Sequence, residues 1–500
     1  MRKAENNIMK IVLLGIVSLF SVASMAQSRH YNSMTLGMGG GGTAYVDGFH
    51  ANFINPANLA VNNYHNSTSI GLSGIGIKAG GTLAKIGVYN DYLTSGNVIN
   101  GQLREDFIDD WFGSGNNTLD MNTTVNFVPI GFSHQTSRQA FSLAVRGRVT
   151  AESSINRGAA ELYFYGLDSQ QFGDPVSVNF SNDMVAFTEV SLGYARHIMT
   201  IPDLIIAEDV KLYAGIAPKL LMGFYAANAR FNSTLQVGDQ PGGFTVTNTF
   251  NYQLNTIGEL SRQLQEYKRQ NDLDDSVVLD DVVTYEGDDL GEIQATGFGV
   301  DLGATVEMDV SRWPVPLFVD AKKTLRVSMA LTDLGSLNFD NDASRIFADG
   351  EFSYQGAVGQ EDAGDFFDNL GDSLQNDVYG DFNTEGTDGI RYNLPGMYNF
   401  GASLEMGRLL AAVDYGFGFN NNGVNSRRST LNLGLQYRLF RFLPLRVGMR
   451  SGGFSSAAYT AGFGLDFNFI EFSVAASATG NSSRNGGSNA VAWSGFIIRF

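Results

Sequence analysis

The sequence predicts an all-β fold, a single transmembrane antiparallel β-barrel of about 14 strands with an N-terminal plug and short helical insertions in long loops. Three observations predict it: an N-terminal export signal, a composition rich in glycine and aromatic residues, and long segments of alternating apolar and polar residues. A sheet that crosses a membrane must close on itself, because an unpaired strand edge cannot face hydrocarbon.

Residues 1–26 have the pattern of a cleaved signal peptide. Arg2 and Lys3 precede an apolar run over residues 11–22, and small residues stand just before Gln27. This run is too short to span a bilayer, which needs about 20 residues. We therefore expect an exported mature chain that starts near Gln27.

The composition excludes several classes of protein. The chain has 51 Asp and Glu against 33 Lys and Arg, a net charge of −18, which argues against nucleic acid as a partner. Hydrophobic residues at 43% exclude a disordered acidic chain. The 59 glycines are costly inside helices and favour strands and tight turns. The lack of cysteine excludes a disulfide framework and a thiol nucleophile.

A strict two-residue period runs through much of the chain. Tyr459–Phe469, Leu431–Leu439 and Phe298–Val306 each place Leu, Val, Phe, Ala or Tyr on one parity and mostly Gly, Asn, Asp or Arg on the other. These segments have the length of a tilted membrane-crossing strand, whereas strands of soluble sandwiches average about five or six residues. The apolar parity is predicted to face lipid and the polar parity a lumen.

Charged residues on the polar parity are the candidates for the lumen wall. They form either a selective ring that filters ions or a neutralised structural network, and the network suits a plugged barrel better. The predicted lumen-facing residues are Asp301, Glu307, Arg326, Asp414, Arg438, Arg446, Arg450 and Asp466.

The chain ends in the residues GFIIRF, which resemble the C-terminal assembly signal of outer-membrane barrels. Gly495, Ile498 and Phe500 stand at the positions of that signal, although Trp493 occupies a place where a polar residue is usual. The resemblance implies that the barrel assembly machinery reads the last strand. The alternative is a final strand that merely ends in an aromatic residue.

The segment after the signal changes from a glycine-rich run over residues 37–42, followed by Thr43-Ala44, to an Asn55-Pro56-Ala57 triplet. Pro56 fixes its own φ, and glycines let a backbone approach a wall closely. Such a kinked segment can fill a lumen without regular secondary structure.

These motifs resemble the N-terminal hatch of the long-chain fatty-acid transporter superfamily of outer-membrane barrels, and the stretch Asn393–Met406 resembles its Leu-Pro step into a late strand. The resemblance implies a hatch over residues 27–64 and a barrel over residues 65–500. It also implies a ligand or gating role for Asn55, Pro56, Ala57, Gly39 and Gly40. Whether this hatch is a moving gate or a static plug stays open.

Acidic insertions near residues 253–292 and 358–390 interrupt the strand rhythm. Apolar residues from Leu254 to Tyr267 recur at helical spacing, and aspartates follow. The second insertion sets Phe and Leu against Asp over Asp362–Asp377. They are caps, docking surfaces or ordinary loops; a calcium site is disfavoured because the spacing lacks the Gly and terminal Glu of an EF-hand loop.

Nothing in the sequence points to catalysis. The five histidines lie at no metal-binding spacing, so we expect no catalytic residue, metal or cofactor. The resemblance favours passive uptake of a hydrophobic small molecule through a hatch-gated barrel in the outer membrane. The barrel would then be surrounded by outer-membrane lipid. The alternative is an accessory barrel that docks secreted proteins, because the chain is also similar to the fatty-acid-transporter-like barrel of the type IX secretion complex. A purely structural barrel is a third interpretation.

Overall fold

A computed structural model describes most of the chain beyond the predicted signal peptide. The described residues are 30, 32–61, 67–94, 96, 101–113, 117–166, 169–202, 207–240, 243–273, 277, 282, 292–315, 321–357, 383–386, 389–419, 427–452, 457–480 and 486–500. The predicted signal peptide, residues 1–26, and most of the second acidic insertion, including Asp362–Asp377, lie outside them.

β-Strands account for most of the described residues. They are β1 (Thr68–Gly81), β2 (Thr118–Gln135), β3 (Gln139–Asn156), β4 (Val176–Ile201), β5 (Glu208–Gln240), β6 (Gly243–Thr256), β7 (Ala295–Asp309), β8 (Lys323–Phe339), β9 (Ser344–Ala357), β10 (Asn383–Gly386), β11 (Ile390–Asn393), β12 (Met397–Met406), β13 (Leu409–Gly418), β14 (Thr430–Phe440), β15 (Leu443–Gly452), β16 (Ala458–Asp466), β17 (Ile470–Thr479), β18 (Gly487–Trp493) and β19 (Phe496–Arg499).

Helices are short and lie before β1 or in connections between strands. They are α1 (Ser33–Gly37), two 3₁₀ helices (Gly48–Phe53 and Pro56–Ala60), α2 (Ile86–Tyr92), α3 (Gln102–Phe112), α4 (Arg157–Tyr165), α5 (Ser169–Phe172) and α6 (Gly258–Asn271). Among the residues described, no helix has both the length and the apolar character needed to cross a membrane.

The strands close into a barrel. Antiparallel pairing runs from β1 through β5, on to β7, β8 and β12, and then from β12 to β17. β18 and β19 together form the last strand, which pairs with β17 on one side and with β1 on the other. Within the described residues this closed circuit has 14 strands. The predicted fold class, an all-β antiparallel barrel with helical insertions, is therefore confirmed.

The two faces of the wall alternate as the sequence pattern requires. On β14, Leu433, Leu435 and Tyr437 are exposed on the outer face. Their neighbours Asn432 and Gln436 are buried on the inner face. The same alternation on the other strands gives an apolar outside and a polar inside.

The two ends of the barrel differ. At one end, which we call the short-turn end, the connections shrink to Thr136–Arg138, Gly407–Arg408, Arg441–Phe442 and Phe467–Phe469. At the other, the long-connection end, they include helices and an added sheet. The 33-residue β5 continues beyond the barrel there, and its second half pairs with β6, which pairs with β9, which pairs with β10.

The structure corrects three expectations about elements. Leu254 lies on β6, and the helix of the first insertion begins only at Gly258, after the strand has ended. The strand from Tyr459 ends at Asp466, because Phe467–Phe469 forms a hairpin turn in which the Phe467 amide donates to Ile470 O at 2.9 Å. β4 has 26 residues and β5 has 33, far more than the nine to eleven residues of the alternating segments from which the strands are predicted, since the added sheet extends both.

Candidate functional site

Residues 32–61, which we call the luminal segment, lie against the inner face of the wall. All of them are buried except Met34, Asp47 and Gly48, which are half-buried. Asn32 begins α1 with a reciprocal cap, in which its side chain accepts from the Thr35 amide at 2.8 Å. Asn55 caps the second 3₁₀ helix by accepting from the Ala57 amide, without the reciprocal bond. Local capping thus stabilises the short helical turns of the segment.

Wall glycines receive the luminal segment. Where the segment touches the wall, a Cβ on the wall residue would overlap with segment atoms; Phe49, for example, occupies the space above both Gly71 and Gly131. Eight strands contribute such a glycine among the described residues: Gly71, Gly131, Gly193, Gly215, Gly303, Gly401, Gly434 and Gly448. These absent side chains leave a groove that fits the segment closely.

The Asn55 side chain makes four hydrogen bonds, as many as that of Asn58. Its Nδ2 donates to Thr43 O at 2.8 Å, to Thr305 Oγ1 of β7 at 2.9 Å and to Asn58 Oδ1 at 3.2 Å. Its Oδ1 accepts from the Ala57 amide at 3.1 Å. It is fully buried, so no bulk water replaces a hydrogen bond that it loses. Asn55 joins two turns of the segment to the wall.

Three of the other predicted hatch residues, Pro56, Ala57 and Gly39, also contact the wall. Pro56 and Ala57 lie over Gly215 of β5, and both are buried. Gly39 has φ +86° and Gly40 φ +94°, a region that favours glycine. The Gly39 amide donates to Thr460 Oγ1 at 3.0 Å, and its backbone lies against β14 and β15.

The predicted lumen-facing residues divide into several groups. Asp414 binds the segment, since its Oδ1 accepts from the Thr43 amide at 2.8 Å. Glu307 and Arg326 pair at 2.9 Å. Arg446 donates to Gln436 Oε1 at 2.8 Å and lies against Gly37 of the segment. Arg450 is buried, and Arg438 binds Asp466 at 2.9 Å near the short-turn end.

The eighth predicted residue, Asp301, belongs to a buried charge cluster of six residues on five strands. Lys219 Nζ lies 2.9 Å from Asp301 Oδ2 and 2.6 Å from Asp333 Oδ1. Arg146 lies 2.9 Å from Glu189, and Arg148 Nη1 lies 2.8 Å from Glu189 Oε1 and 2.9 Å from Asp333 Oδ2. Three cations thus face three anions: Arg146, Arg148, Lys219, Glu189, Asp301 and Asp333.

Sequence reasoning missed most of this cluster. Arg146 and Arg148 stand on the polar parity of β3, a signal that could have included them. The sequence pattern does not indicate Asp333, because this residue has φ +56° at an irregularity of β8 and does not follow the two-residue period of the strand. Lys219 and Glu189 lie on strands whose full length the sequence did not reveal.

The luminal segment also covers the charge cluster. The Phe53 ring lies 4.2 Å from the Arg146 guanidinium carbon, a cation–π contact. Next to it, His30 Nε2 and His50 Nδ1 lie 3.1 Å apart in a hydrogen bond. Burial lowers the pKa of His50 to about 3, helped by Arg146 and Arg499, and burial with Arg146 keeps the pKa of His30 well below its usual range. Both imidazoles are therefore neutral at neutral pH.

A small cavity, of a size that suits about one water molecule, separates the segment from β8 and β12. His30, Thr43, Asp333 and Asn399 contribute its polar lining. Among the described residues, His30 Nδ1 and Asn399 Oδ1 have no hydrogen-bond partner. The cavity is too small for a hydrophobic ligand. No group of three acidic or histidine side chains in the described part of the chain could hold a metal ion.

An apolar layer fills the lumen toward the long-connection end. Phe187 of β4, Leu221 of β5, Phe339 of β8 and Leu394, the leucine of the Leu-Pro step, pack together and are buried. β7 orders the layers: Ala295 lies in the apolar layer, Asp301 in the charge cluster, and Gly303 against the luminal segment. The lumen therefore has three successive layers of different chemistry.

The C-terminal residues complete the wall. Gly495 has φ +67° at the break between β18 and β19, where a Cβ would overlap with Leu72 O of β1. Ile498 stands opposite Ile70 of β1 and Ile470 of β17. Phe500 N donates to Thr68 O at 3.0 Å, so the last residue binds the start of the first strand.

Comparisons with known proteins place the chain in a family. None of the curated proteins matches it. The toluene transporter TbuX of Ralstonia pickettii has 13% identity and a TM-score of 0.42, covering 94% of this chain and 99% of that one. The toluene transporter TodX of Pseudomonas putida has 10% identity and a TM-score of 0.38, covering 95% and 99%. Likenesses this weak carry no argument about function. A family model matches residues 56–477, and the chain therefore belongs to the family of unknown function DUF5723.

Proposed function

We propose that this protein is an outer-membrane β-barrel for passive uptake of a hydrophobic small molecule, and that the luminal segment is its plug. The observation that carries the proposal is the order of the three layers. An apolar layer lies nearest the long-connection end, and the charge cluster and the luminal segment close the lumen beneath it. An apolar molecule would bind most favourably in the apolar layer, because burial of apolar surface drives such binding.

The proposed location follows from the wall and its ends. An apolar outer face suits lipid, and long connections are typical of the external side of such barrels, whereas short turns face the periplasm. The short-turn end would then be periplasmic, and the apolar layer would face the medium. Asn55, Pro56, Ala57 and Gly39 would keep the plug closed, because each contacts the wall. Gly40 would help through a turn within the segment, where its amide donates to Thr35 O at 2.7 Å. Uptake would require the bonds of Asn55 to open.

The test uses reconstituted vesicles and radiolabelled oleate as the probe. We expect uptake by the intact protein, and at least a severalfold loss when Phe187→Ala and Leu394→Ala shrink the apolar layer. Leu435→Ala, on the lipid face of β14, is the matched control and should leave uptake unchanged. Equal uptake by vesicles with and without protein would refute the proposal for this class of ligand.

A second candidate function is the docking of a secreted protein. The added sheet favours it, since β6, β9 and the second half of β5 extend past the barrel and share a core with α4 and α5. Deleting residues 243–256 together with 344–357 should abolish capture of such a partner in cross-linked outer membranes while oleate uptake persists. Uptake lost with an unchanged set of cross-linked partners would exclude docking through this sheet.

A further inference from the structure

The short-turn end carries a surface of exposed aromatic and arginine side chains, which we call the basic aromatic rim. It consists of Phe440, the last residue of β14, and of Arg408, Arg441, Phe442 and Phe467 on the turns that follow β12, β14 and β16. Phe440 and Phe442 stack with ring centroids 5.6 Å apart, and Phe467 continues the stack at 5.5 Å from Phe442. Each ring is between 39% and 53% exposed, so the stack forms a shelf on the outside of the barrel.

The two arginines of the rim lie beside each other. Arg408 Nη1 donates to Leu439 O at 3.3 Å, and Arg441 follows Leu439 by two residues. Because two residues span at most about 7 Å, both guanidinium groups can reach one small anion. Their charges are also not neutralised: within the described residues neither has a carboxylate within 4 Å, whereas nearby Asp466 already binds Arg438 and Arg499.

We propose that the basic aromatic rim binds the headgroup phosphate of an anionic phospholipid in the membrane leaflet at the short-turn end. The inference rests on the membrane location given under the proposed function, but not on uptake. The acyl chains would lie along the apolar wall next to the shelf, where Leu435 and Tyr437 are exposed. Guanidinium groups suit a phosphate because they donate two parallel hydrogen bonds.

Charge complementarity favours this occupant over a general attraction to anions. The whole chain has a net charge of −18, which repels an anionic surface, so local basic residues must account for any preference. The position of the arginines at the edge of the apolar wall favours a lipid over an acidic protein. Aromatic rings and arginines at that depth meet the headgroup region of a bilayer.

The test measures lipid preference by native mass spectrometry of the detergent-purified full chain with phosphatidylglycerol and phosphatidylcholine added together. We expect the intact protein to retain phosphatidylglycerol preferentially. The double variant Arg408→Gln, Arg441→Gln should lower that preference about tenfold or more, given the usual contribution of one arginine near a charged headgroup. The preference should also fall at high salt.

Two further variants keep the outcome decisive. Arg408→Lys with Arg441→Lys retains the charges and should retain much of the preference. Arg138→Gln with Arg312→Gln removes two charges from other turns at the same end and should change little. An unaltered preference in the first double variant, with the barrel still folded by its heat-dependent gel shift, would overturn the proposal. Binding of acidic proteins but not of phosphatidylglycerol would do so as well, whatever the result for oleate.

Discussion

At the scale of single residues, the lumen contains polar groups that depend on each other. Asn55 binds four partners within the segment and on β7, and Lys219 faces three carboxylates. Buried groups of this kind contribute little net energy when paired, and cost much when one partner is removed. Substitutions here should therefore have large effects.

Replacing Asn55 with Ala should destabilise the closed lumen by about 2–3 kcal/mol, because it removes four hydrogen bonds in a buried place, among them the bond that joins the segment to Thr305 of β7. Hydrogen exchange of residues 43–58 in the folded barrel measures the effect. Asn338→Ala, an exposed asparagine near the long-connection end of β8, is the control. Exchange as slow as in the unmodified protein would contradict an anchoring role.

Replacing Lys219 with Met should destabilise the barrel by about 3–5 kcal/mol, because Asp301 then lacks a partner cation while Asp333 keeps only its arginines. Adding Asp301→Asn removes the unpaired charge and should recover part of the loss. The midpoint of denaturant unfolding in detergent micelles is the measurement. A double variant less stable than Lys219→Met would show that neutrality of the cluster does not matter.

The His30–His50 contact should weaken in acid. Both histidines have a pKa in the folded protein below the ordinary histidine value of 6.5, so the neutral pair contributes stability above about pH 6.5. That contribution is lost as the pH falls from 6.5 toward the folded value of about 3 for His50. Hydrogen exchange near residues 48–53 should therefore accelerate at about pH 5. Asparagine does not titrate, so His50→Asn should weaken the pH dependence of this exchange rate. An unchanged pH dependence in the variant would exclude the His30–His50 pair as its cause.

At the scale of elements, the wall strands and the luminal segment are matched to one another. The strands supply glycines where the segment touches them, and the segment supplies short turns whose caps are internal. Alternation in the sequence shows that a strand has an inner face. It does not show whether a glycine on that face lines a void or contacts a residue such as Phe49. The register of the strands decides which glycines meet the segment.

Gly303→Ala tests this match. A methyl group there would overlap with Asn55 Oδ1, so we expect a loss of about 1–3 kcal/mol from overpacking. Gly147→Ala on β3 is the control, because its Cβ would meet its nearest atom, Phe127 O, at 3.8 Å. Thermal unfolding of both variants supplies the comparison. Equal melting temperatures would indicate that the luminal segment shifts without cost to accommodate a methyl group at residue 303.

At the scale of the whole molecule, the barrel is a closed wall around a filled interior. Deleting residues 32–61 should remove the luminal segment. The wall that remains would have a polar inner face with the glycines that the segment had contacted. In planar bilayers we expect no steady conductance from the full chain and measurable ion conductance from the deletion variant, provided that its heat-dependent gel shift shows a folded barrel. A folded deletion variant without conductance would mean that the charge cluster and the apolar layer by themselves close the lumen.

The sequence by itself determined the all-β barrel, its approximate strand number, and the apolar outward-facing and polar lumen-facing parities, because a period of two residues is a local property of each strand. It also singled out Asn55, Asp414 and Asp301, each of which has partners inside the wall. Only the tertiary structure decided which charges meet, since Arg146, Glu189, Lys219 and Asp333 come from four strands far apart in the chain. The pairing of strands brings these residues together, and alternation along one strand carries no information about the register of the next.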